Sequence, residues 1–425
     1  MLNFTGYNIR KLSEDLFRHE SGKMTAVLTK MFGTENLDLA EDVVQETFIA
    51  AMKVWPLKGI PENPSAWLFS TAKNKAVDVL RRNRFTSRFD FTDPDRKLLQ
   101  SEYTLMTTAD KLMNESISDD LLRMMYACCH ADIAQENQII LILKTLCGFS
   151  TSEIAKAFLM TEANVTKKLY RTKEFFRENK IRPEFPPHNE IIARTEAVLR
   201  AIYLIYNEGY NATNCEEWIR KDLVDQSMYL CRLLVENEKT RLPEVYAAMA
   251  LMCFHVARFE ARVGAEGEII ELELQDRSRW DQDMIQLGMQ YLKRTGEKVL
   301  TRFVLEAAIA SVHSSAPLFE KTNWPVIIGL YEQLQKIQPS PFVDLNRAVA
   351  IYYGEGSERA LENLEHSRHL GWLKNHYVYY ALLGKIYQSM GDARKALSCY
   401  EKALGLTKLK AEQDFLSRKI GALRA

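Results

Sequence analysis

Asn164, Lys167 and Arg171 recur at helical spacing and face away from Val165, Leu169, Thr172 and Phe176, which form an apolar stripe on the same stretch. Lys168 lies on the flank of that row. An amide and several cationic groups set side by side are the donors that hold phosphates and read base edges. Thr161 is placed to cap this helix, with acidic Glu162 in its first turn, where the helix dipole favours negative charge. Just ahead, Ser150 and Glu153 form an S-x-x-E capping box that opens a shorter helix with Ile154, Ala155 and Phe158 on its apolar side. Leu159 and Met160 make the short connection. Two short helices, a tight turn and an outward basic face are the build of a helix-turn-helix. An ordinary helical hairpin with a solvated basic face carries the same pattern.

A second basic set lies upstream. Lys73, Lys75, Arg81, Arg82, Arg84 and Arg88 crowd into one stretch in which Asp78 is the sole acid, a density that suits either a solvated helix end or a phosphate-binding footprint. Asn63 and Pro64 occupy the N-cap and first helical positions ahead of it. Leu68, Ala72, Ala76 and Val79 are spaced to pack inward, and Trp67, Asn74, Asp78 and Arg81 share another side. The preceding helix is expected to be capped at Asp38 and Glu41, to bury Val44, Phe48, Ala51 and Trp55, and to stop at Pro56. Asp42, Gln45 and Glu46 are left on its outer face.

Other residues invite other chemistry. Cys128, Cys129 and His130 suggest a metal, but neighbouring helical residues point about 100° apart and no second ligand pair sits at zinc-type spacing. A buried contact of small side chains explains them better, and no metal site is expected. Arg262, Glu273, Gln275, Asp276, Arg277 and Arg279 either line a pocket or form a buried salt-bridge network that fixes one helix pair. No nucleophile–base pairing or P-loop accompanies them, so neither an enzyme nor a cofactor is expected.

The elements that must position these groups are read from the whole chain. Its 425 residues imply two or three domains. Hydrophobic residues make up 47% and charged residues 26%, as in a soluble globular protein. The 56 basic and 56 acidic residues cancel, so nucleic-acid binding requires a local basic region beside an acidic remainder. No apolar stretch is long enough to span a bilayer, and the N-terminus lacks a signal-peptide core. Seven scattered cysteines, an odd number, suggest reduced thiols and a cytoplasmic location. Glycine and proline are sparse and alternating β-branched runs are absent, so an all-α fold is expected. Gly209 reads as the C-cap of a helix ending near residue 210, residues 264–267 as a turn, and Ser278 and Asp281 as caps of the next helix. Near the C-terminus Leu383, Gly384, Tyr387, Gly391, Ala396, Tyr400, Ala403 and Leu404 stand at tetratricopeptide positions, preceded by a weaker copy over residues 345–364. Two repeats in tandem suggest an array of helical hairpins.

These stretches together resemble the extracytoplasmic-function (ECF) group of sigma-70-type RNA polymerase sigma factors. Residues 42–48 match the D-x-x-Q-E-x-F pattern of the polymerase-binding helix of sigma region two, and residues 67–82 match the helix that reads the −10 element. The helix-turn-helix stands where sigma region four belongs. Residues 205–210, 275–281, 307–317, 323–331 and 340–350 resemble the long C-terminal domain of one ECF group, which ends in tetratricopeptide-like repeats. The resemblance implies sigma region two over 1–88, a linker over 89–117, sigma region four over 118–180 and a helical, TPR-like C-terminal domain over 188–425. It implies contact with core RNA polymerase through Asp42, Gln45, Glu46 and Phe48. At the −10 element it implies Asn74 beside a flipped-out base, with Lys73, Lys75, Arg81 and Arg82 on the backbone. At the −35 element it implies Asn164, Thr166, Lys167, Lys168 and Arg171 in the major groove or on its flanking phosphates. The acidic linker resembles the segment that threads the RNA exit channel. The partners so implied are core polymerase and promoter DNA, with no membrane. The C-terminal domain is expected to regulate in cis by docking on the sigma regions or the polymerase, with residues 275–281 as the contact. A helix-turn-helix regulator with a helical sensor domain, acting without being a polymerase subunit, is the alternative.

Overall fold

The computed structural model describes residues 6–83, 117–158, 160–187, 189–210, 220–264, 268, 270–296, 299–407 and 410–424. Among the described residues there is no β-strand, and the fold is all-α. The linker expected over 89–117, except residue 117, and both Arg84 and Arg88 lie outside the described residues. The chain divides into two compact units, Met1–Ile205 and Tyr206–Ala425.

The first unit begins with α1 (Gly6–Phe32), α2 (Leu37–Lys58) and α3 (Pro64–Asn83). Their apolar faces meet in one core. Met24, Leu28, Met31 and Phe32 of α1 pack with Val44, Phe48, Ala51 and Trp55 of α2 and with Leu68, Ala72, Ala76 and Leu80 of α3. The alanines let α3 approach closely; Val79 is only half-buried, and Val77 takes a core position. Asn63 Oδ1 accepts from the Ala66 N–H at 3.0 Å, capping α3 as its sequence predicts. Two boundaries of α2 differ from expectation. The helix starts at Leu37, one residue before Asp38, which therefore interacts with the dipole from inside the first turn. Pro56 lies within the helix, which runs on to Lys58. In a last turn the missing N–H removes a single backbone bond, and Gly59, at φ 85°, makes the actual stop.

Four more helices follow: α4 (Ile117–Cys128), α5 (Gln135–Thr145), α6 (Thr151–Ala157) and α7 (Glu162–Asn179). Residues Ile139 through Leu143 of α5 are all buried, so the middle of this helix is enclosed on every side. The capping box opens α6: Ser150 Oγ accepts from the Glu153 N–H at 3.2 Å, and Glu153 Oε2 accepts from the Ser150 N–H at 2.8 Å. Thr161 Oγ1 accepts from the Asn164 N–H at 3.2 Å and caps α7, whose Val165, Leu169, Thr172 and Phe176 are buried.

Helix α1 packs on this second group as well. A Cβ on Gly22 would stand 1.9 Å from the Leu146 carbonyl oxygen, so the α1 backbone lies directly on the end of α5. Gly148 answers it with φ 67°, a conformation that excludes most side chains.

Helix α8 (Ile191–Tyr210) crosses the boundary between the units. Gly209 lies inside it and does not cap it. A Cβ there would come within 2.9 Å of Leu223 and Val224, so the glycine permits close approach of the helix that follows. The second unit continues with α9 (Lys221–Glu236), α10 (Pro243–Val256), α11 (Phe259–Arg262), α12 (Gln282–Lys293), α13 (Arg302–Ser315), α14 (Trp324–Ile337), α15 (Pro341–Glu355), α16 (Ser357–Glu365), α17 (Leu370–Leu373), α18 (Tyr377–Ser389), α19 (Ala393–Leu406) and α20 (Lys410–Arg424). The turn expected at residues 264–267 lies outside the described residues except for Gly264. Its flanks bond to each other, Ile270 N–H to Arg262 O at 2.9 Å and Gly264 N–H to Glu268 O at 2.8 Å. Asp281 caps α12, but Ser278 sits in a 3-10 turn capped by Asp276. Helices α13 to α20 share a core in which α18 and α19 form a hairpin. Gly384 of α18 lies under the Tyr400 ring of α19, where a Cβ would meet the ring at 2.7 Å.

Four substitutions make these contacts measurable. Gly22→Ala is expected to destabilise the first unit by about 1–3 kcal/mol in urea titration, because backbone on both sides must move. Gly421→Ala meets open space within α20 and is expected to be neutral or stabilising by up to about 1 kcal/mol. Ser150→Ala is expected to cost about 0.5–2 kcal/mol. Burial raises the Glu153 pKa, but bonds from Ser150 and the Arg18 guanidinium outweigh it and hold the carboxyl below its ordinary value. Its stabilising contribution is therefore present above the unfolded pKa and lost as pH falls through the lower folded value. Glu153→Gln should lower stability near neutral pH, with the gap to the parent closing in the acid limb of a pH–stability curve.

Candidate nucleic-acid interface

On α2 the side chains opposite the core are Asp42, Gln45 and Glu46, all exposed. Phe48 is not among them. It is 6% exposed and meets Phe17 edge-on at 4.9 Å, so it seats α2 and offers no surface to a partner. The apolar groups that α2 does present are Ile49 and Met52, 46% and 48% exposed. They continue the arc of Asp42 and Gln45 at helical spacing. Sequence reasoning missed them, although projecting the helix outward from Asp42 would have found them.

Helix α3 places Asn74, Arg81 and Arg82 in solvent, with Lys73 and Lys75 half-buried along its side. Lys75 Nζ stands 2.9 Å from Glu46 of α2, tying the two helices. Arg81 pairs with Asp78 at 3.6 Å, and Arg82 Nε donates to the Asp78 carbonyl at 3.3 Å. Asp78 thus aligns both guanidinium groups near the helix end. The basic set and the acidic-apolar face of α2 are adjacent and joined through one ion pair.

On α7, Asn164, Thr166, Lys167 and Arg171 are all exposed. Thr166 turns its hydroxyl back to donate to the Glu162 carbonyl at 2.8 Å. Lys168 differs from its neighbours. It is half-buried and pairs with Glu136 of α5 at 2.5 Å, which makes it a brace between helices. Tyr170, 60% exposed, adds an aromatic ring between Lys167 and Arg171 that sequence reasoning did not single out. An isolated tyrosine outside the apolar stripe carries no periodic signal.

The flank of α7 carries a different set of cations. Lys173, whose side chain is 14% exposed, stands 2.7 Å from Asp38 and 2.8 Å from Glu41, both on α2. Burial pulls its pKa down, but the two carboxylates prevail and raise it. Arg177 adds a longer ion pair to Asp38 at 3.5 Å. Elsewhere along the same junction Arg18 pairs with Glu153 at 2.5 Å and lies 4.0 Å over the Phe149 ring. Lys30 pairs with buried Asp120 at 3.1 Å, and the Thr34 hydroxyl donates to the Ile181 carbonyl. Asp38 and Glu41 therefore clasp α7 and do not cap α2.

Cys128, Cys129 and Cys147 are buried free thiols. Burial pushes Cys129 and Cys147 up to about 12 and Cys128 well above its ordinary value. Among the described residues no group of His, Cys, Asp or Glu is placed to hold a metal ion, and no helix is long and apolar enough to cross a membrane.

In the second unit the polar stretch around residue 277 is partly internal: Gln275, Arg277 and Trp280 are buried, while Asp276, Ser278, Arg279 and Asp281 are exposed. Arg277 is 9% exposed, and Nη1 donates to the carbonyls of His313 and Ala316 at 2.8 and 2.7 Å. Trp280 is 3% exposed. Glu273 pairs with Lys385 at 2.5 Å and accepts from the Tyr353 hydroxyl at 2.6 Å.

Comparison with known proteins fits this geometry. Residues 16–86, which include most of α1 and all of α2 and α3, match the family model for sigma-70 region 2. Residues 194–296 match a family of unknown function, DUF6596. An uncharacterized protein of Rhizobium meliloti is 34% identical over 392 residues, spanning 92% of this chain and 91% of its own length. The ECF RNA polymerase sigma factor SigL of Mycobacterium tuberculosis is 30% identical over 132 residues, 31% of this chain and 68% of SigL. A probable RNA polymerase sigma factor of Haemophilus influenzae is 25% identical over 145 residues, 32% of this chain and 74% of that protein. No solved structure matches. With the region 2 helices, their outward acidic face and their basic end in place, the chain belongs to the ECF group of sigma-70-type RNA polymerase sigma factors.

Proposed function

We propose that this sigma factor binds core RNA polymerase through the outer face of α2 and reads promoter DNA with α3 and α7, and that it works in the cytoplasm. The observation that carries the reading is the exposure of three distinct faces on one unit. Asp42, Gln45 and Glu46, with Ile49 and Met52, offer the polymerase a polar surface with an apolar centre, the composition of a protein interface. Asn74, Arg81 and Arg82, with Lys73 and Lys75 beside them, face the −10 element. Asn164, Thr166, Lys167 and Arg171 serve as the helix-turn-helix reader of sigma region four at the −35 element. A regulator that acts without polymerase has no use for the α2 face.

The clasp between α2 and α7 bears on how the reading works. Elements named −10 and −35 lie about 25 base pairs apart, roughly 85 Å along B-DNA. A unit of this size is only about 40–45 Å across. Both readers engage together only after Lys173 releases Asp38 and Glu41, so the clasped form is the one that waits for polymerase. The C-terminal unit, read as TPR-like hairpins, would set this equilibrium in cis.

Four measurements test the reading. Asp42→Ala with Gln45→Ala should leave the circular dichroism unchanged and weaken pull-down of core polymerase; unchanged capture sinks the α2 assignment. Lys167→Ala with Arg171→Ala should reduce the salt slope of −35 binding by about one for each phosphate no longer neutralised, or cost roughly 1–3 kcal/mol at one base position. Lys173→Gln with Arg177→Gln should tighten binding to core by about two- to five-fold, since opening then costs less; weaker binding would contradict the clasp. A chain ending at Ile205 keeps the Tyr126–Thr195 hydrogen bond of α4 and α8. If it transcribes like the full chain in vitro and in cells, regulation in cis is excluded.

A further inference from the structure

A cluster of cationic and imidazole groups in the second unit has no part in the sigma reading. It gathers His255 at the end of α10, Arg258, Arg262 of α11, Arg277, Trp280 and His313 of α13. The guanidinium groups of Arg258 and Arg277 lie 5.4 and 4.8 Å from the centroid of the Trp280 ring. Arg262 lies 3.8 Å over the Tyr210 ring and donates to the Tyr210 carbonyl at 2.6 Å. The His255 ring stacks on the same tyrosine at 4.9 Å. His313, whose carbonyl accepts from Arg277, sets its ring edge-on to Trp324 at 5.3 Å.

Two of these guanidinium groups, Arg258 and Arg277, face no counter-charge. Among the described residues no carboxylate stands within ion-pair distance of Arg258 or Arg277. Arg258 Nε donates to neutral Gln275 at 3.2 Å, Arg277 donates to carbonyls and to the Thr322 hydroxyl, and Glu320 acts on Arg277 only at longer range. Burial, and then the neighbouring arginines, push both imidazoles down to about 3, so they are held neutral beside the guanidinium groups. Four polar nitrogens here are buried with no hydrogen-bond partner: Nδ1 of His255, Nδ1 of His313, Nε of Arg277 and Nε1 of Trp280. Buried guanidinium without a counter-charge and several unmatched nitrogens in one place are both costly. His255, Arg258, Arg262 and His313 are each partly exposed, so the cluster is reachable from solvent.

We propose that this cluster is a binding site for a small oxyanion, whose carboxylate or phosphate group is held by Arg258, Arg277 and the two histidines. An oxyanion supplies both the missing negative charge and acceptors for the unmatched nitrogens.

The test follows the imidazole signals of the full-length protein by NMR during titration with inorganic phosphate and, separately, with succinate. Ionic strength is held constant with sodium chloride. His255→Gln and His313→Gln assign the signals. Saturable shifts of both imidazoles are expected with at least one anion; phosphate alone points to a phosphorylated ligand and succinate alone to a carboxylate. Arg258→Gln should weaken the binding by at least about ten-fold, and Lys167→Ala with Arg171→Ala should leave it unchanged, which separates this site from the DNA-binding face. If Arg258→Gln fails to fold, His313→Gln should weaken the shift of His255 instead. Absence of a saturable shift with both anions in the parent protein, or binding undiminished in the variants, overturns the proposal.

Discussion

The first unit depends on how closely α1 can lie against the end of α5. Gly22 meets the Leu146 carbonyl where any side chain would collide. Because that approach is possible, one helix serves two groups at once. One side of α1 fills the core of α2 and α3, and the other holds the segment leading into α6 and α7. The ion pairs Arg18–Glu153, Lys30–Asp120 and Lys173–Asp38 bridge the same junction. They give it direction, while the backbone contact sets its spacing. The junction thus combines a close backbone contact with several charge pairs.

Electrostatics are arranged locally in a chain with no net charge. Three basic groups of α3 and α7 have a carboxylate that aligns them: Glu46 for Lys75, Asp78 for Arg81 and Glu136 for Lys168. Such pairs add little stability where they are exposed, but they hold long side chains in defined directions. Lys167 and Arg171 stand in solvent on the outward face of α7, where counter-ions are readily displaced by phosphates. Paired and exposed cations thus stand side by side on the same helices, the paired ones held in place and the exposed ones open to solvent.

What could be read in the sequence was what is decided within a few residues. The Ser150–Glu153 box, the Thr161 and Asn63 caps and the buried stripe of α7 all depend on spacings of three or four, and each stands where its pattern placed it. The all-α class followed from the same periodicities. What was misread depends on partners far along the chain. Pro56 did not end α2, because its helix finishes only at Gly59. Gly209 looked like a cap and instead makes room for Leu223 and Val224. Lys168 carried the pattern of a DNA contact, and Glu136, distant in sequence, turned it into a brace. Arg277 resembled an interface residue until its donors met carbonyls near residues 313 and 316. Phe48 belonged to both a motif and an apolar stripe, and burial decided for the stripe.

The three cysteines beneath the α4–α5 junction have a further meaning. Cys128, Cys129 and Cys147 are at most 1% exposed, and burial keeps their thiols protonated at neutral pH. A protonated, enclosed thiol reacts slowly with oxidants and alkylating reagents. Their chemistry is therefore governed by how often the surrounding core admits solvent rather than by the redox state of the medium. The sulfurs form a natural clock for the breathing of the helices that carry α7, ticking only when that part of the molecule comes apart.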